Sequence, residues 1–264
     1  MKCYIHKTWQ ANAVHIAASV GVLLLCVGIL LAGVGLFVYN PRFYAREFKK
    51  LGVYDDIGLS REELHGARDM LIDYMKGKRD TLQLQVAFEG DDAPSDFYTE
   101  EELSHMADVK AVFVAVKVAE YILVPAGVGL LALVLLFGKP RDIFDELARA
   151  AMRGTIALFI VLGLIGLAVA VDFDAVFTVF HGIFFPQGNW QFAWDSRMLA
   201  MLPEALFMHA GIGIIAVGLG AALLLCALGV ALRLLIKRGV LFGVGKPQNG
   251  PGEGHEEHDE IPAE

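Results

Sequence analysis

Four long runs of apolar residues, separated by polar segments, dominate the pattern of this chain. The runs cover residues 16–39, 111–137, 152–171 and 206–236. The hydrocarbon core of a bilayer is about 30 Å thick, and roughly 20 helical residues are needed to cross it. The first run is longer than the apolar core of a cleaved signal peptide. The pattern therefore predicts an all-α membrane protein with four transmembrane helices.

The polar segments between these runs predict how the chain is arranged across the membrane. Lys and Arg collect on the cytoplasmic side, and the connection 138–151 contains three of them, whereas 172–205 contains only Arg197. We therefore expect both termini to be cytoplasmic. The expected segments, in chain order, are a cytoplasmic N-terminus with the first span (1–39), an extracytoplasmic domain (40–110), the second span (111–137), a cytoplasmic loop (138–151), the third span (152–171), an extracytoplasmic interfacial segment (172–205), the fourth span (206–236) and a disordered acidic cytoplasmic tail (237–264).

The polar segment before the second span predicts a small, mainly helical domain. Ser60 and Glu63 have the spacing of a capping box, and the apolar positions after them predict a helix over 61–75. Alternating apolar residues predict one strand over 81–88. Thr99 is followed by three acidic residues, which favour the N-terminus of a helix. We expect this second helix to continue directly into the second span.

The segment 172–205 carries aromatic residues at helical spacing. They recur three or four positions apart, as Phe173, Phe177, Phe180 and Phe184. We therefore expect a short helix that lies in the membrane interface, with its aromatic side at headgroup depth. His181 falls on the same side of this helix, near lipid rather than in bulk water.

Composition narrows the possible classes of function. Hydrophobic residues make up 56% of the 264 residues and the mean hydropathy is +0.53, whereas soluble domains contain about 45–50% apolar residues. The formal net charge is −8, so no basic surface for nucleic acid is expected. Three cysteines are too few for a disulfide framework. No motif predicts a bound cofactor.

Two histidines next to predicted membrane boundaries are candidates for acid–base chemistry. His105 precedes Asp108 by three positions, so the two can meet on one helix face, where the carboxylate would favour the imidazolium. His181 lies in the other outward segment, on the same expected side of the bilayer. General acid–base chemistry on a lipid and plain hydrogen bonding at the interface are equally open for this pair.

Other ionisable residues have simpler explanations. His209, in the first turn of the fourth span, is expected to be a structural hydrogen-bonding group. Lys117 and Glu120 are three positions apart within the second span, where charges normally pair or face a polar cavity. A structural ion pair and a role in substrate binding or proton movement are equally open for them. Two alternatives to an enzyme stay open. The chain could be a non-catalytic membrane binding or assembly protein, or it could hold a metal ion between the two candidate histidines and the nearby aspartate.

Two motifs resemble those of one bacterial protein family. Residues 105–110 read HMADVK, and residues 180–185 read FHGIFF, followed by GNW at 188–190. Phe192 and Asp195 continue the second motif. Together the motifs are similar to those of the lipoprotein intramolecular transacylases, and the resemblance extends from the first span to the fourth.

The resemblance implies a four-span enzyme of the bacterial cytoplasmic (inner) membrane that acts on diacylated lipoproteins among the membrane lipids. Such enzymes move the sn-2 acyl chain of the diacylglyceryl group to the α-amino group of the same cysteine, which gives a lyso-form lipoprotein. His105 and His181 would be the catalytic pair at the extracytoplasmic leaflet. Asn189 and Trp190 are candidates to donate a hydrogen bond to the oxyanion, and Asp195 is a further orienting or substrate-binding candidate.

The chemistry of this reaction fits the candidate histidines. A histidine has an unperturbed pKa of about 6.5, so it can accept the proton of the α-ammonium near neutral pH. Because the nucleophile and the ester belong to one molecule, positioning is the main task of the protein. We hypothesise that His181 is the base and that His105, oriented by Asp108, is the acid or electrophile. The two roles can also be exchanged.

Overall fold

The computed structural model describes residues 2–88, 93–137 and 140–238. The elements of this part, in order, are α1 (Lys2–Val38), α2 (Pro41–Lys50), α3 (Val53–Asp56), α4 (Arg61–Met75), β1 (Gln85–Val86), β2 (Ser95–Asp96), α5 (Glu100–Phe137), α6 (Pro140–Val171), α7 (Phe173–Phe184), α8 (Arg197–Met201) and α9 (Glu204–Lys237). The acidic tail predicted from the sequence lies almost entirely outside the described residues.

Four of these helices are long and apolar enough to cross a membrane. The candidate spans are Asn12–Val38 in α1, Glu100–Phe137 in α5, Ile143–Val171 in α6 and Glu204–Ile236 in α9. The predicted four-span, all-α fold is therefore confirmed. The prediction of a loop over 138–151 was wrong for most of that range, because α6 already begins at Pro140. A proline suits the first helical position, where its missing N–H would have had no partner within the helix.

Helix α1 packs against each of the other three spanning helices. It approaches α5 especially closely, since a side chain at Gly127 would come within 2.9 Å of the backbone oxygen of Gly21 and 3.1 Å of the backbone nitrogen of Leu25. Small residues at such crossings let two helices make close van der Waals contact, which is a main source of helix association in lipid. Gly127 therefore sets the spacing of α1 and α5.

A small domain formed by α2, α3, α4 and the two strands packs at one end of the bundle. Helix α4 has the predicted bounds, and Ser60 and Glu63 form the predicted capping box. Gly77, with φ of 73°, follows the end of this helix. The strand predicted over 81–88 was wrong in extent, because only Gln85–Val86 pairs, antiparallel to Ser95–Asp96. A ladder this short contributes little by itself, so packing of the domain core holds it in place.

One apolar core joins this small domain to the segment that follows α6. Its largest fully buried apolar side chains are Phe48, Leu64 and Phe97 from the domain and Met201 from α8. The helix predicted from aromatic spacing is present as α7, with the Asp172 side chain accepting from the backbone nitrogen of Ala175 at 2.9 Å. Helix α8 was not predicted. Through this shared core, the chain after α7 is held beside the start of α5.

Candidate active site

Reciprocal hydrogen bonds fix the first turn of α5. The backbone nitrogen of Thr99 donates to Oε2 of Glu102 at 2.8 Å, and the backbone nitrogen of Glu102 donates to Oγ1 of Thr99 at 3.2 Å. The predicted cap is therefore confirmed, and it is a complete capping box. Oγ of Ser196 donates to the second carboxylate oxygen of Glu102, which ties the segment before α8 to this turn. His105 lies one turn further along the same helix.

His181 lies on the last turn of α7, and its ring orientation is set by its own helix. Nδ1 of His181 is 2.8 Å from the backbone oxygen of Phe177. Because a carbonyl oxygen can only accept a hydrogen bond, Nδ1 carries the proton and is the donor. In the neutral ring, Nε2 is then the basic nitrogen. This is the nitrogen that can accept a proton from a substrate.

The structure brings His105 and His181 together, although 76 positions separate them in the sequence. Their ring centroids are 6.0 Å apart and the rings are inclined by only 25°. Both side chains are buried, with 6% and 8% of the respective residues exposed. Two imidazoles at this separation can act on neighbouring atoms of one bound molecule.

Aromatic side chains enclose the two imidazoles. The ring of Phe177 is 3.9 Å and that of Trp190 is 4.8 Å from His181, and the ring of Phe185 is 4.7 Å and that of Phe192 is 5.4 Å from His105, all between centroids. Burial in these surroundings lowers the pKa of His181, and the hydrogen bond to the Phe177 backbone opposes this effect. His181 is therefore mainly neutral near pH 7.

Asp108 does not contact His105 in the way that the sequence spacing suggested. Its Oδ2 atom accepts hydrogen bonds from Nε2 of Gln187 at 2.6 Å and from Nδ2 of Asn189 at 2.7 Å. No hydrogen bond between Asp108 and His105 is found in the described part of the chain. The carboxylate instead fastens the turn after α7 to α5, and Asn189 also donates to Oγ of Ser104 at 3.3 Å. We call this arrangement of Asp108, Gln187 and Asn189 the carboxylate clasp.

The remaining candidates are placed at different distances from the histidines. Trp190 is half-buried against His181, as described above. Asp195 is exposed and lines a depression of about 220 Å³ at the small domain, together with Glu101 and Arg197. Phe192 lines the same depression and also contacts His105. The structure therefore groups Trp190 with the two histidines and separates Asp195 from them by an aromatic ring.

Three residues around the histidines had no role assigned from the sequence. Phe185 and Phe192 belong to the second motif, and both rings contact His105. Gln187 was not singled out, because its bond to Asp108 depends on long-range packing. Pro186 and Gly188 are residue types typical of a turn, and Gly188 adopts φ of 80°. This turn returns the chain from α7 to α5. This turn is the feature of the sequence that could have indicated that the residues beside it contact another element.

The other ionisable residues form pairs outside this site. His209 is a hydrogen-bonding residue as predicted, with Nδ1 2.6 Å from Oε2 of the buried Glu47 and Nε2 3.2 Å from Nζ of Lys50. Nζ of Lys117 donates to Oε2 of Glu120 at 3.1 Å. Within residues 2–88, 93–137 and 140–238, no group of three His, Cys, Asp or Glu side chains is arranged to hold a metal ion. His105, His181 and Asp108 therefore do not form such a group.

Comparison with known proteins gives one family and one solved fold. The sequence model of the family described as "Lipoprotein intramolecular transacylase Lit" matches residues 19–207. None of the curated proteins compared with this chain is significantly similar in sequence.

The similar solved structures are in meso structures of the membrane integral lipoprotein intramolecular transacylase Lit from Bacillus cereus. One has a TM-score of 0.65 and 22% identity, and the match covers 88% of this chain and 99% of the other. A variant with a histidine-to-arginine mutation has a TM-score of 0.66 at 22% identity, covering 90% of this chain and 97% of that one. A histidine-to-alanine variant matches at 0.65 and 21%, over 91% and 99% of the two chains. These likenesses show a shared membrane fold.

Proposed function

Since this chain belongs to the lipoprotein intramolecular transacylase family, and is thus a membrane acyltransferase for lipoproteins, we propose that it moves the sn-2 acyl chain of a diacylglyceryl lipoprotein to the α-amino group of the same N-terminal cysteine. The product is a lyso-form lipoprotein with an N-acyl group. The observation that carries this proposal is the pairing of two buried imidazoles, 6.0 Å apart, from separate segments of the chain. We assign His105 and His181 as the catalytic residues.

His181 is the general base in this mechanism. The bond from Nδ1 to the Phe177 backbone leaves Nε2 as the basic nitrogen, and burial keeps the ring mainly neutral near pH 7. Nε2 removes one proton from the α-ammonium of the substrate cysteine. The resulting amine attacks the carbonyl carbon of the sn-2 ester. Since ester and amine are on one molecule, the protein gains rate by holding them in contact rather than by supplying its own nucleophile.

His105 is the general acid. Attack forms a tetrahedral intermediate with a negative oxygen and a positive nitrogen. Collapse breaks the bond between the acyl carbon and the sn-2 oxygen and keeps the new carbon–nitrogen bond. His105, as imidazolium, gives its proton to the leaving sn-2 oxygen and recovers one from the nitrogen, which becomes a neutral amide. The proton first taken by His181 returns to solvent, so the reaction releases one proton overall.

The surroundings of the histidines suit a lipid substrate. Helix α7 carries exposed apolar side chains, with exposed fractions of 61% for Val179 and 68% for Ile183, on the face away from His181, and 47% for Phe184. Exposed apolar residues on such a helix bind acyl chains in a membrane. The imidazoles lie behind them, next to the polar turn of the carboxylate clasp. An ester at the boundary between the acyl chains and the headgroup would therefore be within reach of both rings.

We also propose that this site is at the extracytoplasmic leaflet. The opposite ends of α6 and α9 carry cationic side chains in ion pairs. Arg153 pairs with Glu146 at 2.6 Å, and Arg233 pairs with Asp145 at 2.6 Å. Basic residues at one end of a bundle favour the cytoplasmic side, which supports an outward position for the histidines. A Trp194→Cys variant without the native cysteines tests this, because a membrane-impermeant maleimide should label it in intact cells.

The catalytic assignment is tested by replacing each histidine in the full-length membrane protein. Because the transfer is intramolecular, substrate and product have the same mass. The assay must therefore use tandem mass spectrometry of the lipoprotein N-terminal peptide, or reactivity of its free amine. His105→Ala and His181→Ala should each abolish the N-acyl product while protein levels stay unchanged. His65→Ala is the matched control, since that histidine contacts Tyr54 within the small domain. Normal product from either site variant would refute the assignment.

A further inference from the structure

The carboxylate clasp determines which end of the Asn189 side-chain amide points to Asp108. An ionised carboxylate only accepts hydrogen bonds, so the group bonded to Oδ2 of Asp108 at 2.7 Å must be the NH2 of Asn189. The amide oxygen is the other end of the same planar group. Asp108 therefore fixes the direction of Oδ1 as well, and a flipped amide would place two acceptors against each other.

Two buried polar atoms lie at the end of this clasp without a hydrogen bond of normal geometry. They are Oδ1 of Asn189 and Nδ1 of His105, and the only other such side-chain atom in the described part of the chain is the hydroxyl of Tyr98. Asn189 itself bonds to Ser104 and Asp108, which are neighbours of His105 on α5. One atom is an acceptor and the other can carry a proton, so the two are chemically complementary. Buried polar groups in native proteins nearly always have a partner, and those that lack one often have a functional role.

We propose that Asn189 is the positioning residue of His105, with its Oδ1 accepting a hydrogen bond from Nδ1–H of His105 during the reaction and Asp108 holding the amide in that direction. The inference rests on the transacylase mechanism proposed above. The bond directs Nε2 of His105 to the lipid and stabilises the imidazolium that protonates the leaving oxygen. It is the counterpart of the bond between His181 and the Phe177 backbone, so both rings would present Nε2 to the substrate.

Asn189→Leu tests this proposal, because leucine has nearly the same shape and no acceptor. We expect kcat to fall about tenfold or more with KM within about threefold, as for an interaction made in the transition state. Since His105 is the acid, loss of the acceptor makes its imidazolium less favourable. The alkaline limb of the pH–rate profile should therefore move to lower pH. Asp108→Asn, which can still accept from Asn189 but no longer enforces its orientation, should have an intermediate effect.

Gln187→Leu is the matched control for a purely structural clasp. It also removes one hydrogen bond to Asp108 but leaves the acceptor for His105 in place. We expect a smaller loss of kcat and no shift of the alkaline limb. Equal losses in the Gln187→Leu and Asn189→Leu variants, without a shift in either profile, would overturn the proposal, because the clasp would then only anchor the turn.

A spectroscopic measurement gives a readout that does not depend on turnover. In protein labelled with 15N at histidine, the neutral His105 ring should be mainly the Nδ1–H tautomer, and Asn189→Leu should increase the Nε2–H tautomer. An unchanged tautomer population would refute the role of Asn189. The His105→Ala and His181→Ala variants separate the two levels of argument. If both retain full activity, the proposed function fails. If both are inactive and Asn189→Leu behaves as wild type, only this inference fails.

Discussion

The ring of Phe177 offers a test of how the site tunes its base. This ring is the aromatic group nearest to His181, at 3.9 Å between centroids, and it helps to keep the imidazole only 8% exposed. Burial is the largest cause of the lowered pKa of His181. Phe177→Ala would admit water to this side of the ring and leave the backbone acceptor of Nδ1 in place. The pKa of His181 should therefore rise toward its ordinary value of about 6.5.

The sign of the effect on activity follows from the proposed role of His181 as a base. Only the neutral ring accepts the substrate proton, so activity falls as the pH drops through the pKa of His181. In the Phe177→Ala variant the acidic limb should move to higher pH, and its midpoint should not exceed about 6.5. A rise of one unit in this pKa corresponds to a desolvation penalty for the imidazolium that is about 1.4 kcal/mol smaller. The deficit of the variant relative to wild type should thus be largest near pH 5.5 and smallest near pH 8.

Transacylation of a diacylated reporter lipoprotein across pH 5–9 measures this change. Phe180→Ala is a suitable control, because Phe180 also contacts His181, at 5.4 Å, but is 45% exposed and covers the ring less. Its acidic limb should move less than that of Phe177→Ala. Coincident acidic limbs for wild type and Phe177→Ala would refute the argument that burial by this ring sets the protonation of His181.

Three further predictions concern stability and are measured by thermal unfolding in detergent. His209→Ala leaves the buried carboxylate of Glu47 without its 2.6 Å partner, so it should destabilise by about 1–3 kcal/mol; an unchanged Tm would show that Glu47 finds another partner. Gly127→Ala places a Cβ 2.9 Å from a backbone oxygen, whereas the control Gly129→Ala meets nothing within 4 Å. Gly127→Ala should lower the free energy of unfolding by about 1–3 kcal/mol. Equal Tm values for the two variants would contradict the close approach of α1 and α5. Trp194→Ala removes a side chain that is 94% exposed and should change stability by no more than about 0.5 kcal/mol, so a larger loss would mean that the indole packs against something.

Features that depend on neighbours along the chain were predictable from the sequence. The four spans followed from run length against the thickness of a bilayer, and all four are present. The cap at Ser60 followed from a fixed three-residue spacing, and the cap at Thr99 followed from the acidic residues directly after it. Helix α7 followed from aromatic periodicity. In each case the interaction that forms the structure lies within a few residues, so the pattern contains the cause.

The charged ends of helices show where such local reasoning fails. The stretch after residue 139 was expected to be a loop because it connects two apolar runs, yet it forms the first turns of α6. Its charges pair across helices, as Arg233 does with Asp145, and that pairing requires the bundle. The prediction of a strand over 81–88 was too long because a strand also needs a partner from elsewhere in the chain. Only Gln85–Val86 has one, in Ser95–Asp96.

The sequence alone also named both histidines, but only the tertiary structure decided where they lie and which residues they contact. Asp108 is three positions from His105 and was expected to orient it, whereas its carboxylate bonds to Gln187 and Asn189, about eighty positions away. The partner of a polar side chain depends on which segments the apolar core presses together, and spacing along one helix does not contain that information. The four spans are local consequences of solvation by lipid. The close approach of the two histidines is a consequence of packing between distant segments.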